Sequence, residues 1–324
     1  MAIEGVRVKC THGLLLLFLT VVYSTATAQR HLPNIVVSTD IGGSDPDDYQ
    51  SMVHLLMYAD RFNIKGLISS PPHGGRKQHI VEVIQAYEKD YTKLIKHAEN
   101  FPSPQDLYRV TKQGATAIQT HHIPDKPSEG AKWMIKKARE NKRQPLYILV
   151  WGSMTDVAQA IHHRPGIKKN IRIYSIGSWN TVQDTNSRNY LYHQHPDLWW
   201  IENNSSFRGM YLGGYQEGDY GNESFVAAHV KGHGALGELF WEKKKDIKMG
   251  DTPSVLYFLH GDINNPEAES WGGSFSKNAH GPNFWTDNSA DSLRQNDRAG
   301  AKTVNKFRKA YLDDWSKRMQ WLKD

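Results

Sequence analysis

Residues 34–48 read NIVVSTDIGGSDPDD. The apolar run at 34–38 predicts a buried strand, the glycines after it predict a turn, and the amphipathic run that follows predicts a helix over 47–59. Further apolar runs predict strands at 64–70, 146–151 and 171–176. Helical periodicity predicts helices at 77–96, 128–141, 157–162 and 302–322. Strands that alternate with helices indicate an α/β fold, in which helices flank a mostly parallel central sheet of Rossmann-type topology.

The composition is that of a globular protein. The chain has 324 residues, 39% hydrophobic and 23% charged, which suits one large α/β domain. The formal net charge of +6 comes from scattered basic residues, so no nucleic-acid partner is predicted. Irregular stretches between 178 and 287 predict a loop-rich C-terminal part, and the apolar stripe of the last helix predicts core packing.

The N-terminus has the features of an export signal. Arg7 and Lys9 precede the apolar run 13–22, and residues 26–28 read ATA, a small-x-small cleavage pattern. We therefore expect a signal peptide over 1–28 and a single domain over 29–324, periplasmic or secreted, with no stable membrane association after cleavage. The alternative is an uncleaved anchor, although an apolar run of about ten residues is short for a span. The single cysteine, Cys10, lies in this segment, so no disulfide is predicted in the mature chain.

Four carboxylates crowd the turn after the first predicted strand: Asp40, Asp45, Asp47 and Asp48. They repel one another unless protons or a cation lie among them, and a hard cation such as Ca²⁺ prefers oxygen ligands. The carboxyl end of a strand is also where open α/β folds bind ligands. Helix capping is the alternative, with Asp45 as N-cap before Pro46 and with Asp47 and Asp48 complementing the helix dipole. Capping does not explain Asp40.

Several strings in this chain resemble those of one enzyme superfamily. In chain order they are STDI at 38–41 with DPDDYQS at 45–51, LVWGSMTDVA at 149–158, SIGSWN at 175–180, FRGMYLG at 207–213, GDTPS at 250–254 and SWGG at 270–273. They are similar to the inosine-uridine nucleoside hydrolase superfamily, and most similar to the nucleoside hydrolase-like domain of bacterial proteins described as cellulose-binding. The resemblance covers about residues 33–276 and implies a nucleoside hydrolase-like fold.

The resemblance also implies a site that binds Ca²⁺ and cleaves glycosidic bonds, by default the N-ribosyl bond of a nucleoside. On this basis Asp40 is the first metal ligand and the base for the attacking water, and Asp48 is the bidentate ligand. The main-chain carbonyl of Trp151 and the carboxylate of Asp251 complete the ligands, while Asp47 grips a ribose hydroxyl. Three carboxylates, a carbonyl, water and sugar hydroxyls would together supply the oxygens that Ca²⁺ requires.

Further substrate contacts follow from the resemblance. They are assigned to His73, Asn180, Asn186, Asn189 and Trp271, the last as a stacking ring. One sequence does not fix the register of the asparagines. A loop histidine without a role is the alternative for His73.

The chain departs from the superfamily pattern in two places. Residues 43–45 lengthen the acidic loop, so Asp45 could take the role given to Asp47. Residues 249–250 are Met-Gly, where many members have a histidine that assists the leaving base. For Asp251, a simple helix N-cap is the alternative to a metal ligand.

The sequence therefore predicts an exported, Ca²⁺-dependent hydrolase of glycosidic bonds whose partner is a small nucleoside or sugar, with homo-oligomerisation left open. Two alternatives remain. The same site could act on another carbohydrate, which the missing histidine favours. The chain could instead be a non-catalytic polysaccharide-binding protein that kept the fold, which the export signal and ten tryptophans favour.

Overall fold

An eight-stranded sheet runs through the protein, with helices packed on both faces. The computed structural model describes residues 1, 2, 5, 32–43, 45–71, 74–140 and 143–323. Its strands are β1 Asn34–Thr39, β2 Asn63–Ser69, β3 Thr111–Gln113, β4 Leu146–Val150, β5 Ile171–Ile176, β6 Trp200–Asn203, β7 Phe275–Lys277 and β8 Phe284–Asp287.

The α-helices fall between and after these strands. They are α1 Asp47–Met57, α2 Lys77–Leu94, α3 Pro104–Val110, α4 Glu129–Glu140, α5 Thr155–His163, α6 Trp179–Gln183, α7 Thr185–Gln194, α8 Asn222–His229, α9 Gly234–Lys243, α10 Pro253–Leu259, α11 Ala301–Asn305 and α12 Arg308–Gln320. No helix within the described ranges is long and apolar enough to reach across a bilayer.

The sheet is buried on both faces because successive side chains of a strand point to opposite sides. In β1, Ile35 and Val37 join a core that includes side chains of α1 and α2. Val36 joins a second core, with side chains of α4 and α5. A strand covered on both faces has a continuous apolar sequence, and for this reason β1 could be predicted from its sequence.

The order of the strands creates a switch point in the sheet. The order is β3-β2-β1-β4-β5-β6-β8-β7, and all described pairs are parallel except β7 with β8 at the edge. The chain runs outward from β1 to β3, then returns to place β4 on the other side of β1. Open α/β sheets bind ligands outside the carboxyl ends of the two strands at such a reversal. Asp40 and Trp151 directly follow those two strands.

The predicted α/β fold with a mostly parallel sheet is confirmed. The four predicted strands correspond to β1, β2, β4 and β5, whereas β3, β6, β7 and β8 were not predicted. In β6 the apolar pattern is interrupted by Glu202, which is buried because Arg188 donates to both of its carboxylate oxygens at 2.8 and 2.7 Å. Such long-range pairing cannot be read from local periodicity.

The final predicted helix, 302–322, is interrupted and forms α11 and α12. Arg308 at the start of α12 is fully buried, and its guanidinium donates to the carbonyl oxygens of Met210 at 2.6 Å and Tyr220 at 2.9 Å. These bonds tie the start of α12 to the loop before α8. The apolar stripe packs into the core as predicted, with Trp315 and Met319 fully or almost fully buried.

Residues Leu32–Asp324 form one compact unit. The predicted signal segment and the cleavage after Ala28 fall almost entirely on residues outside the described ranges, so both stay predictions, as does the boundary of the mature domain. His73 also lies outside the described residues, and its predicted substrate contact stays a prediction.

Candidate metal centre

Three carboxylates converge next to the switch point of the sheet. Oxygen atoms of Asp47, Asp48 and Asp251 all lie within 4.8 Å of one another. The first turn of α1 supplies Asp47 and Asp48, and the segment before α10 supplies Asp251. Asp40, the residue after β1, is buried beside this cluster and hydrogen-bonds to Asp48. The converging set therefore contains Asp47, to which the sequence analysis gave a substrate contact.

Local contacts fix the acidic loop. The Thr39 hydroxyl donates to Asp48 Oδ1 and accepts from the Ile41 amide at 3.1 Å, so it links the end of β1 to the first turn of α1. A Cβ atom on Gly152 would lie 2.9 Å from Asp40 Cβ. Glycine at that position, two residues after the end of β4, is what lets Asp40 occupy its place.

Asp251 is held by its backbone rather than by its carboxylate. The Trp151 indole donates to Ser254 Oγ at 2.7 Å, and this hydroxyl donates to the Asp251 carbonyl oxygen at 2.7 Å. The N-cap of α10 is Thr252, so Asp251 does not cap the helix. Its Oδ2 atom is buried and has no hydrogen-bond partner among the described residues.

Burial is the main cause of a raised pKa at all four carboxyls. It raises the pKa of Asp40 to about 7, against lowering by the hydrogen bond to Asp48. It raises the pKa of Asp47 to about 7, and the nearby charge of Asp48 adds to the shift. The pKa values of Asp48 and Asp251 are also raised well above the ordinary value, by burial and then by the neighbouring carboxylates. The cluster is thus unfavourable as a set of bare anions.

The donor set fits a hard divalent cation. Carboxylate oxygens are ligands that Ca²⁺ prefers, and an ion among them would remove the mutual repulsion that raises their pKa values. A buried polar atom without a partner is costly, and the ion would give Oδ2 of Asp251 such a partner. Asp47, Asp48 and Asp251 are the described residues that meet this test together.

A cavity of about 300 Å³ adjoins these carboxylates. Trp151 and Asn180 line one part of it. The Asn180 amide nitrogen donates to the carbonyl oxygens of Trp151 and Ile176, both at 3.1 Å. Because both partners are acceptors, the atom that faces them is the amide nitrogen of Asn180. The two bonds hold this side chain against the ends of both strands. The Trp151 oxygen keeps a second lone pair that could reach a cation.

Asn186 and Asn189 do not reach this cavity. Asp184 caps α7, accepting from the Ser187 amide at 3.2 Å and from Thr155 Oγ1 at 2.7 Å. The capped helix carries both asparagines to a separate surface pocket. There the Asn186 amide donates to a main-chain oxygen at 3.1 Å.

Trp271 is not part of the cavity either. Its ring stacks on His260, with ring centroids 5.2 Å apart and planes 9° apart, and it packs against the core. The SWGG string that suggested a stacking role therefore lies at a packing contact. The predicted role of Trp271 has no support from its position.

Asp45 lies at the rim of the cavity and not in the carboxylate cluster. The predicted N-cap assignment is wrong by one residue, since the cap of α1 is Pro46, which has no side chain that can accept. Asp45 Oδ1 accepts from the Asp47 amide at 3.3 Å, and its carboxylate pairs with the ammonium of Lys248. This ion pair explains why Asp45 turns away from the other carboxylates.

Five aromatic or cationic residues that line the cavity were given no role from the sequence: Trp179, Phe207, Arg208, Tyr211 and Lys248. Two of them had a usable signal. Trp179 directly precedes Asn180, and Lys248 stands three residues before Asp251. The others lie in the FRGMYLG string at 207–213, which was noted for its resemblance only.

Comparisons with solved structures agree with the fold. A nucleoside hydrolase-related hypothetical protein from Saccharophagus degradans, associated with carbohydrate metabolism, is similar at 22% identity and a TM-score of 0.71, over 91% of this chain and 72% of that chain. The effector XopQ, solved with adenosine diphosphate ribose, is similar at 11% identity and 0.54, over 90% and 94%. A plant nucleoside hydrolase is similar at 13% and 0.52, over 89% and 98%. These identities show the fold alone.

No curated protein sequence matches this chain. The family model described as cellulose-binding Sde182, nucleoside hydrolase-like domain, matches residues 34–275. This range holds β1 to β6, the first residue of β7 and all four carboxylates of the site. The resemblance found in the sequence is thereby confirmed, and the chain belongs to the family of Sde182 nucleoside hydrolase-like domains.

Proposed function

We propose that this protein is a Ca²⁺-dependent hydrolase of glycosidic bonds. The observation that carries the proposal is the buried, unpartnered Oδ2 atom of Asp251, which lies with Asp47 and Asp48 in one cluster of carboxylates beside a cavity. A crowd of buried carboxylates that only packed the core would be costly. A bound cation would offset that cost.

In this proposal Asp47, Asp48 and Asp251 hold the ion together with the Trp151 carbonyl. When bound, Ca²⁺ would supply a site for two sugar hydroxyls and would lower the pKa of a coordinated water. Asn180 fixes the Trp151 carbonyl through its amide nitrogen. The anionic side chains face the sugar, which favours the oxocarbenium-like transition state of glycoside cleavage.

Asp40 is the base in the proposed reaction. It takes one proton from the attacking water, whose oxygen forms a bond to the anomeric carbon. The bond from that carbon to the leaving nitrogen or oxygen breaks, and the leaving group keeps the electron pair and takes up a proton. One water is consumed for each bond broken. The buried position of Asp40 next to Asp48 keeps it close to the ion-binding carboxylates.

Two leaving groups are candidates. The family resemblance favours the base of a nucleoside. A carbohydrate leaving group is favoured by Gly250, which stands where many nucleoside hydrolases have a histidine. Of the described residues that line the cavity, none is a histidine. A panel of nucleosides and glycosides, assayed with Ca²⁺ and with a chelator, separates the two.

The ion site is tested by Asp48→Asn, which keeps the shape of the side chain and removes its charge. We expect loss of Ca²⁺ binding by calorimetry and loss of turnover, with an unchanged circular dichroism spectrum. Asp219→Asn is the control, because the Asp219 side chain is 67% exposed and belongs to no site. Wild-type protein that binds no Ca²⁺ would refute the proposal. Intact polysaccharide binding in the Asp48 variant, with no activity in the wild type, would establish the non-catalytic alternative.

We also propose that the protein is exported, because its first 28 residues have the pattern of a signal peptide. N-terminal sequencing of protein recovered outside the cytoplasm tests this. The mature chain should begin at Gln29. An intact N-terminus would contradict the proposed cleavage.

A further inference from the structure

Trp179 is a large aromatic side chain that is exposed at the cavity. Its side chain lines the cavity, yet the residue is 62% exposed. It opens α6, a five-residue helix with no buried residue. An indole usually buries most of its surface in a core, so one left open at a cavity needs an explanation.

The backbone that carries Trp179 is held in an unusual conformation. The preceding residue, Ser178, has φ of 59°, in the left-handed region that residues other than glycine rarely adopt. The Ser178 amide donates to Asn204 Oδ1 at 2.8 Å, and its hydroxyl accepts from Arg208 Nη2 at 2.8 Å. Strained backbone persists where the surroundings hold it in place, and it often occurs at ligand sites. Two polar contacts thus fix the start of α6, although nothing buries the indole.

The cavity also offers charged side chains, which lie beside apolar ones such as Ile176 and Phe207. Arg208 and Lys248 provide N–H donors, and the carboxylates provide acceptors. The Arg208 guanidinium donates to two neutral oxygens, those of the Ser178 hydroxyl and the Asn204 main chain, and lies 4.4 Å from the Phe207 ring. One open aromatic face surrounded by donors and acceptors complements a sugar ring, which has an apolar C–H face and a rim of hydroxyls.

We infer that Trp179 is the stacking platform for a sugar ring, the ring attached to the one held at the carboxylates, so that the substrate class is a glycoside with a carbohydrate leaving group. The inference rests on the proposed function, because it places this ring next to the bond that is cleaved. It selects between the two leaving groups named above. Trp179 thereby becomes a specificity-determining residue that sequence reasoning passed over.

Direct binding tests this inference without requiring turnover. Calorimetry in the presence of Ca²⁺ would measure the affinity of the full-length mature protein for four probes: cellobiose, cellotetraose, glucose and adenosine. Trp179→Ala should weaken binding of cellobiose and cellotetraose by about tenfold or more, and should change glucose binding by less than about twofold. Trp179→Phe should retain most of the affinity, because a ring face remains. Trp271→Ala is the matched control and should bind as the wild type does, since Trp271 lies outside the cavity.

Three results would overturn the inference. The first is wild-type protein that binds neither oligosaccharide at 10 mM, a concentration at which even weak, millimolar binding would be seen. The second is equal affinity of Trp179→Ala and wild type for both oligosaccharides. The third is an effect of Trp179→Ala on adenosine alone, which would make the indole a platform for a base. Trp179-dependent cellobiose binding without any hydrolysis would instead refute the proposed activity and leave the platform in place.

Discussion

Gly152 offers a way to disturb the candidate site without removing any of its charges. It stands two residues after the end of β4, and a Cβ atom added there would lie 2.9 Å from both Cβ and the amide nitrogen of Asp40. Ordinary van der Waals contact begins at 3.4 Å, so the two strand ends would have to separate by about 0.5 Å. Gly152 and Asp40 follow the ends of β4 and β1, which are paired, buried strands with little freedom to move apart.

The expected cost of Gly152→Ala is that of overpacking a buried contact, about 1–3 kcal/mol. For a domain of this size this corresponds to a fall in Tm of roughly 2–5 °C. A displaced base also loses alignment with its water, and a misplacement of about 1 Å can cost 10²-fold in rate. We therefore expect kcat to fall by about tenfold, with a smaller effect on Ca²⁺ affinity, because Asp40 lies outside the three converging carboxylates.

Differential scanning fluorimetry measures the change in Tm, and calorimetric titration measures the change in Ca²⁺ affinity. The matched control is Gly166→Ala, because a Cβ on Gly166 would have no atom within 4 Å. That variant should be neutral or slightly more stable, since alanine restricts the unfolded chain. Equal Tm values for the two variants would refute the argument that Asp40 needs glycine beside it.

Other parts of the structure make further predictions. Ca²⁺ at one hundred times its Kd should stabilise the wild type by about 2.7 kcal/mol in thermal unfolding, and the Asp48→Asn variant should show no such shift. Burial lowers the pKa of His54 to about 3, so the unfolded chain binds an extra proton between pH 3 and 6.5. The stability that neutral His54 contributes is therefore present above pH 6.5. It is lost as pH falls, by up to about 1.4 kcal/mol per pH unit. In urea unfolding, His54→Gln should remove this contribution to the pH dependence of the free energy of unfolding. Asp60→Asn should cost about 3–5 kcal/mol in the same assay, because it removes the carboxylate whose Oδ1 lies 2.6 Å from the buried Arg318 and leaves it the more distant Asp314, at 4.0 Å. A loss as small as the 0–1 kcal/mol of a surface pair would contradict that reading.

The sequence predicted the parts of the fold that depend on local patterns. The strands β1, β2, β4 and β5 are apolar runs between helical segments, and their alternation sufficed to indicate a parallel sheet. β6 was missed because its Glu202 depends on Arg188, fourteen residues away in the chain. The edge strand β7 and its neighbour β8 are three and four residues long and carry little periodic signal.

The residues of the candidate site also differ in how far they could be predicted from local sequence. Asp40, Asp47 and Asp48 stand out locally, because carboxylates this close in sequence demand an explanation. Asp251 came only from the family resemblance, since its partners lie some two hundred residues away in the chain. The substrate-facing residues were the least predictable. Where α6 ends and α7 begins depends on the cap at Asp184, and that cap carries the predicted asparagines away from the cavity.

The lengthened acidic loop gives its four carboxylates different tasks. Asp45 pairs with Lys248 at the rim, so it is neutralised without an ion. The first turn of α1 turns Asp47 and Asp48 toward Asp251, while Asp40 stays at the strand end. The cavity therefore has an acidic floor with cationic side chains at its edge. In the proposed reaction, a glycoside that develops positive charge at its anomeric carbon would be stabilised at that floor, and its hydroxyls would bond to the donors around it. This polarity is the one that the proposed cleavage of a sugar bond requires.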